Sequence, residues 1–146
     1  MCIMKRILFV AVAIITAFVT ASADNKPIDF SKLPKAAQSF VSMTFPAAKI
    51  LYAAVDNDVV RPDYTVVLED GTKIDFNHDG SLEKIESKSG VPVELIPYQI
   101  REYVERHYPN AVYVEYEIGH KSYEVTLSNR MEFKFNSEFN IVEIDD

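Results

Sequence analysis

From residue 31 onward the chain writes one pattern twice. Leu33-Pro34 is answered by Ile96-Pro97, Phe40-Val41 by Tyr103-Val104 and Phe45-Pro46 by Tyr108-Pro109, each pair at an offset of 63. The offset then drops to 59, where Tyr64, Val66 and Leu68 meet Tyr123, Val125 and Leu127, and Phe76-Asn77 meets Phe135-Asn136. Internal repetition on this scale constrains architecture strongly. Each unit is one supersecondary piece that cannot cover its own apolar face, so the two are expected to share a core.

Each unit opens with an amphipathic helix. Leu33, Ala37, Phe40, Val41, Thr44 and Phe45 fall on one face, and Ile96, Ile100, Tyr103, Val104, His107 and Tyr108 take the same places in the second unit. Pro34 and Pro97 suit a first helical turn, where no backbone donor is needed. Pro46 and Pro109 end both helices, because proline disfavours helical geometry in the residue before it. Strands follow. Tyr64, Val66 and Leu68 alternate with polar neighbours, as do Ile74 and Phe76, and the second unit repeats this through Phe133 and Phe135. Period-two patterning with one polar side means an antiparallel sheet packed on one face and wet on the other. Leu82 and Ile85 stand three apart in a strand-like run, the mark of a bulge.

The expected fold is therefore α+β. Two tandem helix-plus-four-strand repeats, about 31–88 and 94–146, form one antiparallel sheet of about eight strands with two helices on one face. Ser87-Lys88-Ser89-Gly90 is the expected joint, and residues 24–146 are expected to form a single domain.

Ahead of the repeat, Lys5-Arg6 precede an apolar run from Ile7 to Val19 and then Ala21-Ser22-Ala23. A basic start, a short apolar stretch and a small-residue cleavage pattern read as a secretory leader over residues 1–23, with a mature start at Asp24. The run falls short of the ~20 residues of a membrane span, so no stable span is expected after cleavage. Cys2 would leave with the leader, and a secreted chain without disulfides must rest on its core. Residues 24–146 carry 13 Lys and Arg against 22 Asp and Glu. No basic cluster occurs, which argues against nucleic acid as a partner.

The order of these features carries a family resemblance. Phe45-Pro46, Tyr64-Val66-Leu68, Asp70-Gly71, Ile74-Phe76, Asp79-Gly80 and Leu82, answered by Tyr108-Pro109, Tyr123-Val125-Leu127, Phe133-Phe135 and Ile141, resemble the PepSY-like family of small secreted bacterial proteins. That family resembles the beta-lactamase-inhibitor-protein fold, two helix-plus-meander repeats in one curved sheet. The resemblance implies a periplasmic or secreted protein that binds or inhibits an enzyme. The second unit departs from the pattern at both turn glycines, with Arg130 and Phe139 in their places.

No catalytic constellation stands out. His78, His107 and His120 do not cluster, His107 is expected to be partly buried on the helix face, and no serine sits in a nucleophile motif. One segment fits a calcium loop: Asp75, Asn77 and Asp79, then Gly80, Ser81 and a closing Glu86. Its flanks alternate like strands, so a β-hairpin with an Asn-His-Asp-Gly turn is the preferred reading and calcium the second choice. The two units also differ in one loop. Asp56–Asp63 is longer by four than Gly119–Ser122. Its Asp58, Val59, Val60 and Arg61 set apolar residues between charges, and they are the first-choice contact for an unknown protein partner in the cell envelope. The solvated carboxylates Glu115, Glu117, Glu124 and Glu132 are the next choice. The leading expectation is a non-enzymatic binding module, an inhibitor or regulator of an envelope enzyme. A calcium-binding structural protein and a small carboxylate-dependent hydrolase are the alternatives.

Overall fold

The computed structural model describes residues 25–56 and 61–146. The proposed leader, and Asp58, Val59 and Val60, lie outside these residues. Strand β1 (Asn25–Ile28) leads through a short 3-10 turn into helix α1 (Lys35–Thr44). Four strands follow: β2 (Ile50–Asp56), β3 (Asp63–Leu68), β4 (Lys73–Phe76) and β5 (Leu82–Glu86). Helix α2 (Tyr98–His107) precedes β6 (Tyr113–Ile118), β7 (Ser122–Leu127), β8 (Glu132–Asn136) and β9 (Ile141–Asp145).

Among the described residues nine strands form one antiparallel sheet in sequence order. The count is one more than the about eight expected, and the extra strand is β1. β1 pairs with β2 from Asn25 opposite Asp56 to Ile28 opposite Ala53. With Pro27 inside and only four residues, β1 has no legible alternation, and pairing alone makes it a strand. The helix starts also move by one residue. Pro34 (ψ 143°) and Pro97 (ψ 141°) are still extended and cap their helices from outside.

Cross-strand register sorts the side chains into rows. One row runs Ile28, Ala53, Val66, Ile74, Ile85, Tyr116, Val125, Phe133 and Ile144, one residue per strand. It is buried from Ala53 to Phe133 and packs in one core with Ala37, Val41, Ile100 and Val104 from the helices and with Leu33 and Ile96 just ahead of them. Phe40 meets Phe76 edge-on at 5.6 Å, and Tyr103 meets Phe135 the same way at 5.6 Å. Both helix aromatics are only half-buried, because the fully buried stripe belongs to the smaller aliphatics beside them.

The helix–sheet geometry recurs between the halves. Gln38 Nε2 donates to the Leu33 carbonyl and Arg101 Nε to that of Ile96. The Phe45 N–H donates to Val41 and the Tyr108 N–H to Val104. Register breaks fall between Ile50 and Tyr52 on β2 and between Tyr113 and Glu115 on β6. They fall again opposite Asp75–Phe76 and opposite Lys134–Phe135, where β5 and β9 each carry one extra residue, Glu83 and Val142. Each break bends its strand and raises the local twist.

Candidate binding face

The helices cover one side of the sheet. On the other, register builds two rows, mostly half-buried toward the middle of the sheet and exposed at β8 and β9. The first runs Pro27, Ala54, Thr65, Asp75, Lys84, Glu117, Glu124, Lys134 and Glu143. The second runs Tyr52, Val67, Lys73, Glu86, Glu115, Thr126, Glu132 and Asp145. The two ends of this face differ in chemistry. Toward β2 it presents Tyr52, 50% exposed, and half-buried Val67, with Leu51 at the β2 bulge 62% exposed. Toward β9 it is dominated by carboxylates.

Lys84 organises the seam where β5 meets β6. Glu86 and Glu115 stand directly opposite each other, and Lys84 Nζ reaches both, at 2.9 and 3.3 Å. The hydrogen bond to Glu86 and the charge of Glu115 push the Lys84 pKa above its usual value, so the ammonium form is strengthened. Farther along, like charges face one another: Glu117 opposes Glu124, and Glu132 opposes Asp145. Such pairs destabilise a sheet. Burial, then the charges of Glu117, Glu132 and Glu115, push Glu124 up, with Lys134 acting the other way. Glu83 in the β5 bulge is raised by burial and then by Asp63, Asp75 and Glu117. Glu124, Glu132, Lys134, Glu143 and Asp145 line a shallow depression of about 70 Å³.

The residues of the calcium-loop pattern form a hairpin between β4 and β5. Asp75 accepts a 2.6 Å hydrogen bond from the Thr65 hydroxyl and lies 3.6 Å from Lys73 Nζ. Asp79 Oδ1 accepts both the Ser81 backbone N–H and the Ser81 hydroxyl, and this holds its pKa below the ordinary value. Asn77 donates to the Ser81 hydroxyl oxygen. Glu86 is turned to Lys84. Gly80 takes φ +85°, and a Cβ there would stand 2.8 Å from Pro34 Cβ, so the turn packs under the start of α1. Among the described residues no group of three or more Asp, Glu, His or Cys is arranged to hold a metal ion.

Of the contact residues chosen in the long loop, Arg61 is described, and it is exposed. His107 corrects its expectation. It is exposed at the end of α2, its ring tilted against Tyr103 at 4.8 Å and its Nδ1 2.9 Å from the Tyr103 carbonyl. The sequence named the glutamates of the open face, but not Leu51, Tyr52 and Val67. Tyr52 follows Ile50 and Leu51, and only the register shift at the β2 bulge, which the sequence does not show, sets it on the open face.

The chain is thus a helix-on-sheet module, with a charged sheet face that no described element of its own covers. The family model that matches it, described as "Putative beta-lactamase-inhibitor-like, PepSY-like", spans residues 62–143, and the chain belongs to this PepSY-like family. It is similar to a solved "putative calcium-regulated periplasmic protein" from Bacteroides thetaiotaomicron, with 37% identity, a TM-score of 0.82 and coverage of 86% of this chain and 99% of that one. A "putative periplasmic protein" from Bacteroides vulgatus shares 36% identity at a TM-score of 0.82, again over 86% and 99% of the two chains. Another from the same species, "of unknown function", shares 30% at 0.79, over 84% and 99%. No curated protein matches. Among the described residues no helix is long and apolar enough to cross a membrane.

Proposed function

We propose that the chain is a periplasmic or secreted protein-binding module without enzymatic activity, and that its helix-free sheet face is the contact surface. The observation behind this reading is the facing of like charges on that face, which Lys84 and Lys134 offset only in part. Glu117 against Glu124 and Glu132 against Asp145 cost stability in the free protein, and a basic partner surface would remove the cost. Tyr52 and Leu51 at the other end add exposed apolar anchors, and tyrosine is enriched among interface hot spots. The leader pattern of residues 1–23 and the periplasmic neighbours support the location. The recurrence of helix contacts, bulges and turns at offsets of 63 and 59 supports a single domain built by duplication. Inhibition or regulation of an envelope enzyme is the role we favour. The long loop around Arg61 is a secondary contact in this reading.

The test is capture from envelope extract with residues 24–146 as bait. A specific partner should be retained, should elute with salt, and should be lost with Tyr52→Glu or Glu124→Lys. Capture that both variants leave unchanged would end the reading. A calcium reading has behind it the wording attached to the Bacteroides thetaiotaomicron neighbour. In this chain the oxygens of Asp75 and Asp79 are engaged by Thr65, Lys73 and Ser81, which speaks for the hairpin instead.

A further inference from the structure

The two edges of the sheet are not equivalent. At one end β1 is short, carries Lys26, and has Pro27, which offers no N–H. Lysine and proline are two of the means of keeping an edge from recruiting another strand, beside the bulge and acidic side chains that β9 has. At the other end β9 carries neither lysine nor proline. Its Ile141, Val142 and Ile144 are β-favouring, with Glu143 and Asp145 set among them, and among the described residues no strand pairs with its outer side. Val142 is 62% exposed and Ile144 50% exposed.

We propose that β9 is a docking edge that takes an extended segment of another protein as a tenth strand, and that this segment alternates basic and apolar residues. Register dictates the pattern. The open-face rows end at Glu143 and Asp145, and the core-side row between them ends at Ile144. A strand added beside β9 continues these rows, since cross-strand neighbours lie ~4.5–5.5 Å apart at Cβ. The residues set against Glu143 and Asp145 face carboxylates and must be basic, while the one against Ile144 must be apolar. A second copy of this chain fits poorly. Antiparallel pairing about Ile144 would set Glu143 against Asp145 twice. The inference rests on the reading that the chain binds protein, but it names a different surface from the open face.

The probe is a short peptide alternating lysine and valine, added to residues 24–146. Binding should slow amide exchange along β9. It should weaken roughly tenfold or more with Ile144→Lys, with valine–glutamate alternation, or with backbone N-methylation of the peptide, which keeps its charges but removes its ladder donors. Lys26→Ala, on β1 at the opposite edge of the sheet, should leave peptide binding unchanged. If the N-methylated peptide binds equally well, or Tyr52→Glu abolishes binding while Ile144→Lys does not, attraction to the open face explains the result and the docking edge is refuted, with the open-face reading intact. Absence of binding refutes the edge and leaves the open face to the capture experiment. Concentration-dependent dimers that protect β9 without peptide would overturn the basic partner in favour of a second copy.

Discussion

Tyr113 lies under α2, 1% exposed, and its hydroxyl is buried without a hydrogen-bond partner. Burial, then the charge of Glu105, pushes its pKa to about 12. An unsatisfied buried hydroxyl costs ~1–3 kcal/mol of desolvation, while the ring contributes apolar packing. Tyr113→Phe should therefore raise stability, by about 1 kcal/mol in urea unfolding. Two turn positions make a second residue-scale comparison. Arg130 (φ 74°) stands where the first half has Gly71, and Phe139 (φ 63°) where it has Gly80. A left-handed conformation costs a non-glycine residue ~1–2 kcal/mol. Arg130 is exposed, so Arg130→Gly should stabilise by up to ~1 kcal/mol. Phe139 stacks on Tyr123 at 5.0 Å, so Phe139→Gly should instead destabilise, because the lost contact outweighs the relieved strain. Gly80→Ala should be the most damaging of the set, since it meets both the positive φ and the Pro34 contact. Denaturant midpoints of the three variants settle the order.

At the scale of elements, each helix is held by a buried aliphatic stripe and one aromatic that reaches the sheet edge-on. Phe40→Ala and Tyr103→Ala each remove such an aromatic from a half-buried site. Both should cost about 3 kcal/mol, the low end for a large aromatic, because neither is fully enclosed. A loss below about 1 kcal/mol in chemical denaturation would show that the helices do not depend on these contacts. The β4–β5 hairpin carries the calcium-loop pattern on strands. In an EF-hand the loop wraps its oxygens around one point. Here Asp75 and Glu86 point from neighbouring strands and Asp79 is held by Ser81. Calorimetric titration should find no calcium binding tighter than ~10 µM, the range of sensor sites. Tighter binding would move this hairpin from scaffold to site.

For the whole molecule, the acidic half of the open face ties stability to pH. Glu83 and Glu124 have folded-state pKa values above their unfolded ones, so the native state binds their protons more tightly. Their penalty is present at neutral pH and is relieved as pH falls toward the ordinary carboxylate range. Asp79 acts in the opposite sense: its stabilisation is complete above its unfolded value and lost only as pH falls through its lowered folded one. Lys84, raised in the folded state, contributes below its usual value and loses that contribution in strong alkali. Stability should therefore rise as pH falls from neutral toward the ordinary glutamate range, with the loss of the Asp79 contribution setting in only at more acid pH. Glu124→Gln should flatten the rise. Urea midpoints across this range are the measurement, and a midpoint that falls steadily from neutral pH would contradict the assigned charge pattern.

Local chemistry settled much of this fold from the sequence. Helix period and flanking prolines placed α1 and α2, and strict alternation placed β3, β4, β7 and β8 together with their buried sides. The spacing of Leu82 and Ile85 placed a bulge, because a period-two strand cannot bury both without an extra residue. These features are legible because they depend on a few neighbouring residues. What the tertiary structure alone decided depends on pairing. β1 is a strand only because β2 lies beside it, and Tyr52 joins the open face only through the register shift on β2. The opposition of Glu117 to Glu124, and the ending of both open-face rows on an edge without proline or lysine, arise from alignment between strands distant in the chain. Composition counted the carboxylates, but only cross-strand register, set by the whole packed core, determined which of them face each other.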